Sequence, residues 1–125
     1  MKPLKVYLCD LTHETVILVS DTIPVNIGYV GSYAKKIHRD LIEISLFKYP
    51  NTVIDAIKKN PPDVLGLSNY SWNSLLSERI AHIAKRINPK TIVVQGGPNF
   101  PEHDPEQQLE FLTKRPNTNF HILFE

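Results

Sequence analysis

Short apolar runs alternate with amphipathic stretches along this 125-residue chain, and that alternation limits the fold more than any other feature. Lys5–Cys9, Ile42–Phe47, Asp63–Leu67, Thr91–Gln95 and Phe120–Phe124 read as strands. Between them lie stretches with the 3.6-residue spacing of helices. Ile27–Leu41 places Val30, Tyr33, Ala34, Ile37 and Leu41 on one stripe, which is expected to face the core. Thr52–Lys59 is a shorter helix ended by Pro61-Pro62, since proline cannot donate the next helical hydrogen bond. Ser74–Ile87 turns Leu76, Ile80, Ile83, Ala84 and Ile87 inward and Glu78, Arg79, Lys85 and Arg86 outward. Asp104 followed by Pro105 is a cap and first-turn pair that opens a helix to about Lys114. Continuous apolar strands between amphipathic helices predict a doubly wound, flavodoxin-like (Rossmann-like) α/β domain. Its five-stranded parallel sheet carries helices on both faces. The whole of 1–125 is one domain in this reading.

One connection is out of proportion. Between the first strand and first helix lie a polar stretch, the β-branched run Val16-Ile17-Leu18-Val19, and Pro24. A strand-to-helix loop usually takes two to six residues, and longer ones usually serve a function. The fifth strand is followed by no helix that would cover its side of the sheet, which suggests a fragment of a longer chain.

Charge narrows the partners. The net charge is +1, with both signs scattered, so the basic stripe that a phosphate backbone requires is missing and no nucleic-acid partner is expected. No apolar stretch approaches a membrane span and no leader is visible, so a soluble, cytoplasmic protein without a membrane partner is expected. The single cysteine, Cys9, sits in an apolar strand and reads as a small buried hydrophobe. No metal-ligand set is expected.

In an open parallel sheet the ligand crevice lies beyond the carboxyl ends of the strands, where strand order reverses. The loops expected there are 10–26, 48–51, 68–73 and 96–103. Two are unusual. Ser68-Asn69-Tyr70-Ser71-Trp72-Asn73 collects hydroxyls, amides and two aromatic rings without a charge, and Gly96-Gly97-Pro98-Asn99-Phe100-Pro101 is also uncharged. Paired glycines at a strand end let a ligand approach the backbone. The phosphate loop G-x-x-x-x-G-K-[ST] is absent, and the G-x-G-x-x-G fingerprint does not follow the first strand, which counts against a nucleotide-binding enzyme half. Neutral hydrogen-bonding loops suit a large amide-decorated ligand.

At these loops the sequence resembles the cobalamin-binding domains that precede the catalytic barrel of radical S-adenosylmethionine (SAM) enzymes. Three stretches carry the resemblance: Pro24-Val25-Asn26-Ile27-Gly28-Tyr29, 63–73 from Asp63 to Asn73, and Val93-Val94-Gln95-Gly96-Gly97-Pro98. It implies that Ser68 and Tyr70 occupy the family's Ser-x-Leu element and that Gly96 and Gly97 match its Gly-Gly element beside the buried nucleotide tail. The resemblance further implies that Gly28 opens the first helix close to that tail. The cofactor-binding set is therefore Gly28, Ser68, Asn69, Tyr70, Trp72, Gly96, Gly97, Pro98 and Asn99. The resemblance also implies a radical SAM domain in cis beyond residue 125, with a [4Fe-4S] cluster and S-adenosylmethionine. The cluster motif Cys-x-x-x-Cys-x-x-Cys does not occur here, so this piece alone is no radical SAM catalyst.

The better-known cobalamin modules carry Asp-x-His-x-x-Gly after the first strand, with histidine as lower cobalt ligand. This chain reads Asp10-Leu11-Thr12-His13-Glu14-Thr15-Val16, with an extra residue between Asp and His and no glycine. His13 is a chemically reasonable cobalt ligand, but the plainer reading is a loop histidine bonded to backbone or solvent. His38, His82, His103 and His121 read as surface or structural. The alternative function is a receiver-like or flavodoxin-like signalling or interaction domain. Asp10 and Glu14 give that reading an acidic pair, but Ser68 stands where a receiver carries its acceptor aspartate.

Overall fold

A computed structural model describes residues 1–14 and 22–123. The elements follow in the order β1 (Leu4–Cys9), α1 (Val25–His38), a 3-10 turn (Arg39–Leu41), β2 (Ile42–Phe47), α2 (Pro50–Lys59) and β3 (Val64–Ser68). Then come α3 (Ser74–Ile87), β4 (Ile92–Gly96), α4 (Pro105–Thr113) and β5 (Phe120–Ile122). All neighbouring strands are parallel, in the order β2-β1-β3-β4-β5, so the expected doubly wound sheet is present. Order reverses between β1 and β3, which makes that junction the switch point. Among the described residues no helix is long and apolar enough to cross a membrane.

Side chains alternate across a strand, so every second residue of β1, β3 and β4 enters one layer. Tyr7, Cys9, Leu65, Leu67 and Val93 form that layer with Val53 and Ile57 of α2 and Ile80, Ala81 and Ala84 of α3. Cys9 is fully buried, and burial, together with the neighbouring Asp10 carboxylate, pushes its thiol pKa far up. In α3 the inward positions are Ser74, Ser77, Ile80, Ala81 and Ala84, while Ile87 is exposed. Small residues at those positions let the helix lie close to the sheet. α4 begins as the Asp104-Pro105 pair predicts: the Asp104 side chain accepts from the Glu106 and Gln107 amides.

The first helix departs from expectation. Its apolar stripe, Val30, Tyr33, Ile37 and Leu41, is more than half exposed, and the buried residues are Ile27 and Gly31. Gly31 explains the difference. A Cβ there would stand 3.3 Å from the Leu46 side chain and 3.5 Å from those of Ile44 and Leu8, so the helix backbone rests on the sheet at this glycine. The helix also ends earlier than Leu41, at His38, where Arg39 takes φ 47 and starts the 3-10 turn. α1 covers β1 and β2 on its face of the sheet. On the same face Phe120 and Ile122 of β5 are 61% and 58% exposed.

Other boundaries shift slightly. β3 and β4 each run one residue further than expected because Ser68 and Gly96 pair at the sheet edge. α2 starts at Pro50 rather than Thr52, with proline in its first turn, where the missing N–H costs nothing. The run Val16–Val19 and the end of the fifth strand at Phe124 lie outside the described residues.

Candidate functional site at the strand switch point

The carboxyl ends of β1, β3 and β4 meet in a connected set of polar side chains. The Ser68 hydroxyl, at the end of β3, donates to Asp10 Oδ1 at 2.6 Å, at the end of β1. Asn73 Nδ2 donates to the same Ser68 oxygen at 2.9 Å and to the Leu11 carbonyl at 3.2 Å. Asn73 Oδ1 accepts the Tyr70 amide at 2.8 Å, and Ser77 Oγ donates to the Ser68 carbonyl at 2.8 Å. Ser68, Asn73 and Ser77 are all buried, where unpaired polar atoms are costly. These bonds therefore fix the 68–73 loop before any ligand arrives. Asn73 immediately precedes α3, but it turns its side chain into the edge and makes no side-chain cap.

Asn69 joins this loop to the next. It is fully buried; its amide donates to the Gly96 carbonyl at 2.7 Å, and its carbonyl accepts the Asn99 amide at 3.2 Å. Its Nδ2 donates to the Asn99 carbonyl at 2.9 Å, and its Oδ1 accepts from Asn99 Nδ2 at 3.2 Å. Gly97 folds over this contact with φ +132, a conformation open to glycine but not to side-chain-bearing residues. A Cβ at Gly97 would lie 2.7 Å from the Asn69 carbonyl oxygen. The second glycine of the pair is thus dictated by the chain itself.

Gly96 and Gly28 are different. A Cβ at Gly96 would make only an ordinary 3.9 Å contact with Ile122, and one at Gly28 would meet nothing within 4 Å. Neither absence of a side chain is demanded by the packing, and both leave room at the edge. Tyr70 and Trp72 stack with centroids 4.5 Å apart and planes 6° apart, Trp72 being 65% exposed. Asn26, in the first turn of α1, donates to the Tyr70 hydroxyl at 3.4 Å, which brings the start of α1 beside the rings. Pro98 is exposed on the neighbouring loop. A small cleft of about 100 Å³ lies nearby, lined by Asp10, Leu11, Thr12, Thr22, Pro24, Lys48 and Trp72.

The nine sequence-derived site residues therefore fall into two groups. Ser68 and Asn69 are buried and hydrogen-bonded within the protein, whereas Gly28, Tyr70, Trp72, Gly96, Gly97, Pro98 and Asn99 are wholly or partly accessible around them. Sequence reasoning missed Asp10 as the partner of Ser68 and Asn73 as its second partner. An Asn before a helix signals a cap, and nothing local shows that it points inward. It also missed His121, whose Nε2 lies 3.2 Å from Asn69 Nδ2.

His13 Nε2 lies 2.9 Å from the Trp72 carbonyl oxygen, and a carbonyl can only accept, so this nitrogen carries the proton. His13 is thus a loop histidine bonded to backbone in this structure. Among the described residues no group of three His, Cys, Asp or Glu side chains could hold a metal ion.

Comparison with known proteins places this edge in context. A family profile described as the B12 binding domain matches residues 16–112. The chain is 29% identical over 99 residues to 2-(S-pantetheinyl)-carbapenam-3-carboxylate methyltransferase of Streptantibioticus cattleyicolor. It is also 29% identical over 99 residues to the cobalamin-dependent radical SAM methyltransferase TokK of Streptomyces tokunonensis. Each alignment takes in 75% of this chain but only 14% of the enzyme, so the chain spans about a seventh of these relatives. Among solved structures, the magnesium-bound receiver domain of the sensor histidine kinase PA1611 from Pseudomonas aeruginosa aligns with a TM-score of 0.61. That alignment covers 98% of this chain and 88% of the receiver at 10% identity, a likeness of fold alone.

Proposed function

The chain belongs to the B12-binding domain family, and from that premise we propose that it binds cobalamin at the β1–β3–β4 edge and positions it for a radical SAM domain of the same protein. The observation that carries the proposal is the family match over residues 16–112, because it takes in the 68–73 loop and the glycine-bearing 96–101 loop, neither of which carries a charged side chain, at the switch point. The residues suit the ligand. Gly28 and Gly96 leave space that the packing does not require, and Tyr70 and Trp72 offer an aromatic surface. Asn99, Tyr70 and exposed backbone supply neutral donors and acceptors for an amide-rich ligand.

In this reading the chain's own residues bind and orient. Asp10 and Asn73 hold Ser68, and Asn69 holds the Gly97 turn, so the edge is shaped in advance and little ordering remains at binding. Bound cobalamin supplies methyl transfer or radical chemistry, which belongs to the cofactor. His13 Nε2 is engaged with the Trp72 carbonyl, which supports binding without a histidine from this chain beneath the cobalt. The methyltransferase names of the two relatives support a methyl-transferring parent enzyme carrying a [4Fe-4S] cluster and S-adenosylmethionine. With one cysteine in 125 residues, that cluster would be held elsewhere. Titration with hydroxocobalamin tests the binding step. A saturable absorbance change that Trp72→Ala weakens supports it, and an unchanged spectrum with no ligand retained on desalting overturns it.

A further inference from the structure

His121 lies beyond the matched region, on β5, and its imidazole is clamped by two rings. Phe100 stacks on it at 4.2 Å and 19°, and Phe111 meets it edge-on at 5.6 Å and 89°. Its Nε2 faces Asn69 Nδ2 at 3.2 Å. The orientation of that amide is not free. Asn69 Nδ2 also points at the Asn99 carbonyl, which can only accept, while Asn69 Oδ1 takes a hydrogen from Asn99 Nδ2. The Asn69 nitrogen must therefore donate toward His121, and His121 Nε2 must carry a lone pair. That requires the neutral, Nδ1-protonated imidazole. Nδ1 is buried without a hydrogen-bond partner.

A protonated imidazole would set an N–H against the Asn69 NH₂. Turning the Asn69 amide over would not relieve the clash, since its oxygen would then face the Asn99 carbonyl. The charged groups around the ring do not help. Arg115, after α4, is a cation, and its Nε lies 3.5 Å from Glu78 of α3, whose carboxylate is thereby committed. Burial lowers the His121 pKa from its ordinary value, the Ile122 backbone opposes this, and Arg115 adds to the lowering.

We propose that His121 is a positioning residue for the cobalamin edge: its neutral ring holds Asn69, and through it the Gly97–Asn99 turn, in the ligand-receiving shape, and protonation releases that turn. This rests on the cobalamin reading above and adds a pH dependence that the family match does not contain. Affinity should be highest at neutral pH and fall in acid by about fivefold, the weight of one hydrogen bond.

The test uses the 125-residue chain, its His121→Gln variant, whose carbonyl can accept from Asn69 but does not titrate, and His121→Phe, which keeps the stacking without an acceptor. Hydroxocobalamin affinity is measured by equilibrium dialysis from pH 5 to 8, each variant being compared with wild type at the same pH so that titration of the ligand cancels. In parallel, the Asn69 side-chain amide and the Asn99 backbone amide are followed by NMR without ligand. The expected result has three parts: an affinity loss in acid for wild type alone, uniformly weaker binding for His121→Phe, and Asn69 and Asn99 shifts that titrate with His121. Parallel pH profiles for wild type and His121→Gln, or Asn69 signals indifferent to pH, overturn the proposal. Absence of binding at every pH overturns the cobalamin reading instead, while the ligand-free NMR arm still decides the His121–Asn69 coupling.

Discussion

Ser68 at the end of β3 gives its hydroxyl hydrogen to Asp10 at the end of β1, 2.6 Å away, and so closes the switch point of the sheet with a charge-assisted hydrogen bond. Bonds of this kind are shorter and stronger than neutral ones. The same oxygen accepts from buried Asn73, so removing it strands two partners at once.

Ser68→Ala should therefore destabilise the domain by about 1–3 kcal/mol, the cost of leaving buried polar groups unpaired. A double-mutant cycle with Asp10→Ala, read by urea denaturation, should return a coupling of about 1 kcal/mol. Strict additivity of the two changes would show that the pair contributes nothing to the fold.

The glycines at the edge should separate by function. Gly97→Ala meets both a left-handed φ and a Cβ 2.7 Å from the Asn69 carbonyl oxygen, and should cost about 1–3 kcal/mol or more. Gly28→Ala meets open space in the first turn of α1, and should stabilise the free protein by as much as about 1 kcal/mol. Its new methyl group fills space assigned to the ligand, so hydroxocobalamin affinity should fall. A more stable Gly28→Ala variant with unchanged affinity would remove Gly28 from the site.

Stability should depend on pH through His121. Its pKa is lowered in the folded protein from the ordinary 6.5, so between the two values the unfolded chain binds more protons. The contribution is complete above about pH 6.5 and declines as pH falls from there toward the folded value. Urea midpoints at pH 7.5 and 5.5 should differ more for wild type than for His121→Gln. Equal differences would place the acid sensitivity in other groups.

Cys9 should be chemically silent in the native state, since only the thiolate attacks alkylating agents and burial, reinforced by Asp10, suppresses it. Iodoacetamide labelling followed by mass spectrometry should proceed at the rate of global opening and become rapid in urea. Fast labelling of the folded protein would contradict the packing of β1.

Much of this architecture was legible in residue order. The strands are nearly continuous apolar runs because both sheet faces are meant to be covered, and α3 begins and ends where its periodicity does. The α1 stripe was misread because a 3.6-residue repeat locates a face without saying what covers it; Gly31, having no side chain, carried no hydropathy signal yet makes the sheet contact. At the edge, composition singled out two loops that the structure brings together through Asn69 and Asn99, since uncharged aromatics beside glycines stand out in one dimension. The contacts that shape those loops were not visible. Asp10 and Ser68 are 58 residues apart, and Asn69 and His121 are 52 apart, so only the strand order brings each pair together.

The central claim is that this edge receives cobalamin, and titration of the purified chain with hydroxocobalamin tests it most directly. A saturable spectral change at one equivalent, weakened by Trp72→Ala and by Gly28→Ala while both variants remain folded, is the result expected. No spectral change and no retained corrinoid from a folded chain would contradict it.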